Sequence, residues 1–278
     1  MPTRRRFAQV DVFTERPLYG NPVAVILEAE GLGSAEMQQI AQWTNLSETT
    51  FVLPPTEDGA DYQARIFTPT EELPFAGHPT LGTAHAVIGA GIVTPKDGKV
   101  VMQCKAGLVE VSVDGQGLLF RLPRFAPRAT ISADELPDIL GVASLIGDAE
   151  TIDTGPHWLI VRVADVAALS PDPARLKPHL ARDGATGLTA YSETKSGEIA
   201  VRSYFFTDGM VEDPVCGSGN AAVAVHRMRA GAISDGDAYL ARQGREIGRD
   251  GEIRVRIEGG NVHVVGQCVT CVEGYFMI

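Results

Sequence analysis

The chain has 278 residues, 44% of them hydrophobic and 21% charged, enough apolar material for two packed cores. With 35 acidic against 24 basic residues its formal charge is −11, which argues against nucleic acid as a partner, because phosphate binding rests on clustered Lys and Arg. No apolar run approaches the about 18 residues a membrane helix needs, and no apolar signal region follows Met1, so a soluble cytoplasmic protein is the expectation.

Arg4, Arg5 and Arg6 form the one tight basic run and read as a solvated terminus rather than a binding patch. Residues 7–13 are β-rich, and the turn chemistry of T-E-R-P-L-Y-G-N-P leads into a strand over 23–27. Ser34 is read as the start of a capped helix, with Glu36 in its first turn and Met37, Ile40 and Ala41 on its apolar face. N-L-S-E-T-T then turns the chain into a strand over 51–53. Further strands are expected at 62–67, 100–104, 108–113 and 118–122, with a helix from Pro79 to about Ala90 between the first two. The stretch P-R-F-A-P-R-A, 123–129, is the linker candidate. Beyond it helices are read near 133–140 and 173–181, and strands at 158–163, 188–191 and 200–206. A helix over 220–230 and closing strands within 251–274 complete the pass.

The stretch M-V-E-D-P-V-C-G-S-G-N-A-A-V-A-V, 210–225, reads as a glycine-rich loop opening a buried, alanine-rich helix. Backbone N–H groups at such an end are orphaned and favour an anion by roughly 0.3–1 kcal/mol from the dipole. Shifted by 140 residues, E-L-P-F-A-G-H-P-T-L-G-T-A (72–84) lies over E-D-P-V-C-G-S-G-N-A-A-V-A (212–224). G-N-P-V-A-V-I-L (20–27) similarly echoes T-G-P-H-W-L-I-V (154–161). Two copies of one unit are implied. The expected fold class is α+β: two pseudo-symmetric domains, each a curved, mostly antiparallel sheet or half-barrel around a buried central helix. The domain boundaries are 1–122 and 123–278, with a closing strand near 266–278 able to return to the first domain. Facing halves would bring two helix N-termini to one cleft.

The residues leave several roles open. Glu48 is either a base made usable by burial or a helix-ending surface glutamate. His78, at the start of an apolar helix, either donates to a substrate oxygen or closes the helix end, and the positive end of the helix favours neutral imidazole. Asp213 competes between chemistry and loop bracing. The four cysteines do not form a disulfide framework, and Cys268 and Cys271 read as structural. His157 and Trp158 read as strand packing that lines the cleft. His85, His179, His226 and His263 lack metal-ligand spacing, so no metal is expected.

G-N-P-V-A-V, N-L-S-E-T-T-F-V, F-T-P-T-E-E-L-P-F-A-G-H-P-T-L-G, E-D-P-V-C-G-S-G-N and the closing R-Q-G-R-E-I-G-R-D-G-E-I together resemble the PhzF (phenazine biosynthesis) family. That family belongs to the diaminopimelate-epimerase-like superfamily, alongside proline racemases. The resemblance implies two similar domains, an active-site cleft between them, no metal or organic cofactor, and a homodimer. It implies that Glu48 is the proton shuttle and that His78 and Asp213 are active-site residues. Ser47, Gly77, Gly217 and Ser218 match positions that hold or adjoin the substrate carboxylate.

Cys216 departs from the racemase pattern. Inversion by two thiols needs a cysteine from each half, and the position matching Cys216 is Ala76, which cannot move a proton. One carboxylate returning a proton elsewhere on the same face suits a hydrogen shift along an unsaturated acid. The expected activity is therefore a cofactor-independent isomerase acting on a small carboxylic acid. The alternatives are an epimerase using Glu48 and Cys216 as opposite-face bases, and an inactive small-acid-binding protein.

Overall fold

The computed structural model describes residues 3–122, 125–131, 134, 136–182, 184–206 and 209–278. The chain divides into two compact units, Met1–Arg121 with Val265–Ile278, and Leu122–Val264.

In the first unit β1 (Arg4–Val12) pairs antiparallel with β2 (Asn21–Ile26). Helix α1 (Ser34–Thr44) buries Met37, Ile40 and Ala41 and carries the chain over to β3 (Glu48–Leu53), which runs parallel to β2 with Val23 beside Glu48. β4 (Tyr62–Phe67) pairs antiparallel with β3, and the short β5 (Glu72–Leu73) with β4. Helix α2 (Gly77–Gly89) follows, then β6 (Lys99–Cys104), parallel to β4, and the antiparallel β7 (Gly107–Asp114) and β8 (Gly117–Arg121). Every residue from Gly77 to Ala84 is buried, because α2 runs through the middle of the curved sheet and touches β1, β2, β3, β6, β7 and β8. Only a glycine fits at 82. A Cβ there would stand 2.3 Å from Val23 Cγ1 and 2.9 Å from Val12 Cγ2.

The second unit repeats this plan. β9 (Ala126–Ile131) precedes the short α3 (Leu136–Leu140) and pairs antiparallel with β10 (Ala149–Asp153), which in turn pairs with β11 (His157–Arg162). Helix α4 (Pro173–Arg182) crosses to β12 (Gly187–Glu193), parallel to β11. β13 (Ile199–Phe206) and β14 (Met210–Asp213) follow antiparallel, then the buried α5 (Gly217–Arg229). β15 (Ala238–Gln243) runs parallel to β13, and β16 (Gly251–Glu258) antiparallel to β15, before β17 (Asn261–Gly266). β18 (Cys268–Met277) returns to the first unit and pairs antiparallel with β1, with a bulge between Gln9 and Val10. Each pairing of β1 to β7 thus has its counterpart among β10 to β16, including both parallel ones. This is the duplicated fold.

Several local expectations change. Helix α1 begins on Ser34 as expected, with Gly33 as its cap, since the Glu36 carboxylate accepts from the Gly33 N–H at 2.8 Å. Arg4 to Arg6 are strand residues and not a solvated terminus. Arg5 donates to the Glu28 and Glu30 carbonyls at 2.7 and 2.8 Å, Arg6 to the Ala90 carbonyl at 3.1 Å, and Arg4 stacks on Tyr275. The linker candidate is largely strand β9, while its first residues, Pro123 and Arg124, lie outside the described residues. The helix read near 133–140 is described only as Leu136–Leu140, and Ala133 lies outside the described residues. β10 and β15 are strands that the sequence pattern does not announce, and Met210–Asp213, expected as loop, is strand β14. A-Y-L-A-R-Q in β15 is built largely of helix formers, and pairing to β13 and β16 overrides that preference. All four cysteines are free thiols. Among the described residues no helix is long and apolar enough to cross a membrane.

Candidate active site

The two units each build a half-site at the start of their buried helix. In the first, Asn45 ends α1 in the left-handed conformation (φ 53°), which swings the chain through the half-buried Ser47 and starts β3 on Glu48. Glu48 is therefore the first strand residue, not a turn residue ahead of the strand. Below it, Thr49 and Thr50 are fully buried. Thr44 and Thr49 hydroxyls lie 2.7 Å apart, and Thr83 of α2 donates to Thr50 at 2.8 Å. That pin fixes α2 against β3.

His78 occupies the second position of α2. Its Nδ1 lies 3.3 Å from Glu48 Oε2, with the two side chains 8% and 15% exposed. Burial pushes the imidazole pKa down to about 3, against a weaker upward pull from the Pro22 carbonyl. The ring is neutral at physiological pH, so the contact is a neutral imidazole against a carboxyl group and not an ion pair. His78 Nε2 is buried with no partner among the described residues. Gly77 begins the helix because a Cβ would stand 2.6 Å from Phe120 Cζ.

In the second unit β14 ends on Asp213, which accepts from the Val215 N–H at 3.0 Å. Burial pushes its carboxyl up to about 6, although hydrogen bonds from Val215 and the Cys216 side chain pull the other way. Cys216 caps α5. Its buried Sγ accepts from the Gly219 N–H at 3.3 Å and lies 3.5 Å from Ser218 Oγ. Gly217 and Ser218 hold the first two helical positions, whose amides have no intrahelical acceptor. Trp158 Nε1 donates to Ser218 Oγ at 3.0 Å, and the Thr154 hydroxyl donates to the Ser218 carbonyl at 3.3 Å. Gly219 is required, since a Cβ would meet Thr189 Oγ1 at 2.6 Å and Ser203 Oγ at 2.9 Å.

The half-sites are built alike. Ala76 and Cys216 are the caps, Gly77 and Gly217 the first helical residues, His78 and Ser218 the second. Thr80 Oγ1 donates to the Ala76 carbonyl at 2.8 Å, and Asn220 Nδ2 to the Cys216 carbonyl at 2.9 Å. Behind each turn a bidentate pair braces the incoming strand: Arg65 with Glu72 at 2.7 and 2.9 Å, Arg202 with Glu212 at 2.9 and 2.8 Å. The chemistry has diverged where the geometry has not. One half carries a carboxyl and an imidazole; the other carries a carboxyl, a thiol and a hydroxyl.

Glu48 and His78 are thus brought together, as are Asp213, Cys216, Gly217 and Ser218. Sequence reasoning missed Gln243 and Asn220. Gln243 Oε1 accepts from the Cys216 N–H at 3.2 Å and from Asn220 Nδ2 at 2.8 Å, and its Nε2 donates to the Asp213 carbonyl at 2.9 Å. Its offset of 140 from Gln103, the spacing of the duplicated turns, was the available signal.

A family model described as phenazine biosynthesis-like protein matches residues 10–274. Antisense-enhancing sequence 1 of Schizosaccharomyces pombe is 38% identical over 98% of this chain and 98% of its own length. The trans-2,3-dihydro-3-hydroxyanthranilate isomerase of Pseudomonas aeruginosa is 36% identical over 96% of this chain and 94% of its own. The crystal structure of a Bacillus anthracis phenazine biosynthesis protein of the PhzF family matches with a TM-score of 0.84 at 26% identity, covering 99% of this chain and 100% of that one.

Proposed function

This chain belongs to the PhzC-PhzF family of phenazine biosynthesis-like proteins, and from that premise we propose that it shifts a hydrogen along a small unsaturated carboxylic acid, with Glu48 as the proton carrier. It is an isomerase, as several of its relatives are named. The observation that carries the finer reading is the half-buried Glu48 carboxyl 3.3 Å from a neutral His78. In the proposed reaction the Glu48 carboxylate takes a proton from an allylic carbon. The electron pair of that C–H bond enters the neighbouring π system and the double bond moves. The carboxylic acid then returns the proton to another carbon of the same system. Proton and electrons stay within one substrate molecule, so no external electron acceptor and no cofactor is required.

His78 is assigned to hold the Glu48 carboxyl in place and to present Nε2 to a substrate oxygen. The amides of Gly217 and Ser218, with the Ser218 hydroxyl, are assigned to the substrate carboxylate. Gly77 and Ser47 are assigned supporting contacts, and Asp213, poised near neutrality, a second proton-transfer role. Cys216 is assigned to the turn itself, since its sulfur is engaged by Gly219 and its counterpart is Ala76. A homodimer and a cytoplasmic setting belong to the same proposal, and sedimentation of the purified chain tests the first.

The test is incubation with trans-2,3-dihydro-3-hydroxyanthranilate in deuterated buffer, for the wild type and Glu48→Gln, followed by NMR. A moved double bond that depends on Glu48 is the expected result. Deuterium incorporated with inversion at an unmoved stereocentre would instead favour Glu48 and Cys216 as opposite-face bases. Binding without exchange or isomerisation would identify an acid-binding protein.

A further inference from the structure

The eight residues from Asp213 to Asn220, the end of β14, the three-residue turn and the first turn of α5, carry most of the second half-site. Gln243, the last residue of β15, is 2% exposed, and its three hydrogen bonds all go to this turn. Its amide oxygen gathers the Cys216 N–H and the Asn220 side chain at the helix start; its amide nitrogen holds the Asp213 carbonyl at the strand end. One planar group therefore sets the separation of the two ends of the turn. We propose that Gln243 is a positioning residue for the carboxylate-binding turn, holding the Gly217 and Ser218 amides in the orientation that receives the substrate's anionic end.

The duplicated partner of Gln243 shows that this is not simply what a glutamine at the end of this strand does. Gln103, the next-to-last residue of β6, is buried in the same manner, but its oxygen accepts from the Thr56 and Glu57 N–H groups at 2.8 and 3.2 Å, and its nitrogen donates to the Thr56 hydroxyl at 2.8 Å. It braces the hairpin between β3 and β4 and, among the described residues, makes no side-chain hydrogen bond to the turn before α2. The same residue, inherited by both units, has been turned onto the helix-opening turn in one of them only. Asn220 supports the assignment: it is fully buried and donates to both Cys216 and Gln243, so the pair forms a closed brace across the turn. The inference rests on the reading of this turn as the carboxylate cradle.

The test compares Gln243→Met with Gln103→Met, a matched change of a buried glutamine at the duplicated position. Removing the brace is expected to raise KM for trans-2,3-dihydro-3-hydroxyanthranilate about tenfold, the equivalent of one buried hydrogen bond, with kcat within about fivefold of wild type. Gln103→Met is expected to lower Tm, as Gln243→Met does, and to leave KM unchanged. Equal KM for both variants, or a KM rise shared by both, overturns the proposal. A second readout is independent of turnover: amide hydrogen exchange at residues 217–220 is expected to quicken about tenfold in Gln243→Met and not in Gln103→Met. Faster exchange without any wild-type isomerisation would uphold the brace and sink the isomerase reading. Unchanged exchange sinks the brace whatever the activity. Should Gln243→Met fail to fold, Gln243→Glu, which keeps the acceptor and loses the donor, carries the same comparison.

Discussion

His78 Nδ1 and Glu48 Oε2 lie 3.3 Å apart, one on the second residue of α2 and the other on the first residue of β3. A neutral imidazole can orient a carboxylate without quenching its charge, which a protonated one would do. Glu48→Gln is expected to lower kcat about 10³-fold and His78→Asn about 10²-fold, in the range typical of acid–base groups. The double variant is expected to be slower than Glu48→Gln by less than the full His78→Asn factor, because the histidine acts in part through the glutamate. Steady-state kinetics of the isomerisation decides; an additive double variant would separate the two roles.

Two buried groups give the stability opposite pH slopes. His78 has its pKa depressed from 6.5 to about 3, so the unfolded chain binds its proton first and stability is lost as pH falls from 6.5 toward 3. Asp213 has its pKa raised from 3.8 to about 6, so its contribution is full below pH 3.8 and is lost as pH rises through 6. Between pH 3.8 and 6 the slopes oppose one another. Asp213→Asn is expected to gain on the wild type across that window, by at most roughly 3 kcal/mol. His78→Asn should gain as pH falls from 6.5. Chemical denaturation at a series of pH values checks both, and parallel curves for all three proteins would count against the burial of these groups.

The packing of α2 makes a stricter demand. A Cβ at residue 82 would overlap Val23, whose strand neighbour is Glu48. Gly82→Ala is expected to cost roughly 1–3 kcal/mol by overpacking. It should also lower kcat, because α2 and His78 must move away from β2. A thermal melt paired with kinetics tests it, and Gly89→Ala, at a position open to space, is the control.

Trp158 reports on the second half-site through its bond to the Ser218 hydroxyl at 3.0 Å. The only other tryptophan, Trp43, is 76% exposed, so Trp43→Phe leaves one buried reporter. In that background Ser218→Ala is expected to shift the Trp158 emission and to cost about 1 kcal/mol. Emission indifferent to residue 218 would show that the indole N–H is not held by it.

The duplicated arginine pairs differ in burial. Arg202 and Glu212 are 11% and 9% exposed, Arg65 and Glu72 23% and 22%. Arg202 also donates to the Val166 and Leu169 carbonyls, both at 3.1 Å. Glu212→Gln is expected to cost roughly 3 kcal/mol, since it leaves a largely buried guanidinium without its counter-charge, and Glu72→Gln about 1 kcal/mol. Urea unfolding monitored for each variant gives the ranking, and a reversed order would mean that burial does not govern these pairs.

What could be read from the chain beforehand has a physical boundary. The duplication was legible because the turns that open α2 and α5 need glycine at fixed places, and Gly77 and Gly217 stand 140 residues apart. The contrast between Ala76 and Cys216 was legible for the same reason. Glu48 and His78 stood out through the resemblance of their motifs, because an acid after a turn and a histidine at a helix start are ordinary features without the contact between them. Gln243 was legible only as a duplicated position, 140 residues from Gln103, and not in its role. Its work depends on a strand end meeting a turn 27 residues earlier in the chain, which no local pattern encodes. β15 was missed for a related reason, since its strand state comes from β13 and β16 rather than from its own residues.

The return of β18 to β1 carries a consequence for how the molecule is made on the ribosome. The second unit is one uninterrupted stretch, Leu122–Val264, whereas the first cannot complete its sheet along β1 until Cys268–Met277 have followed that stretch out of the exit tunnel.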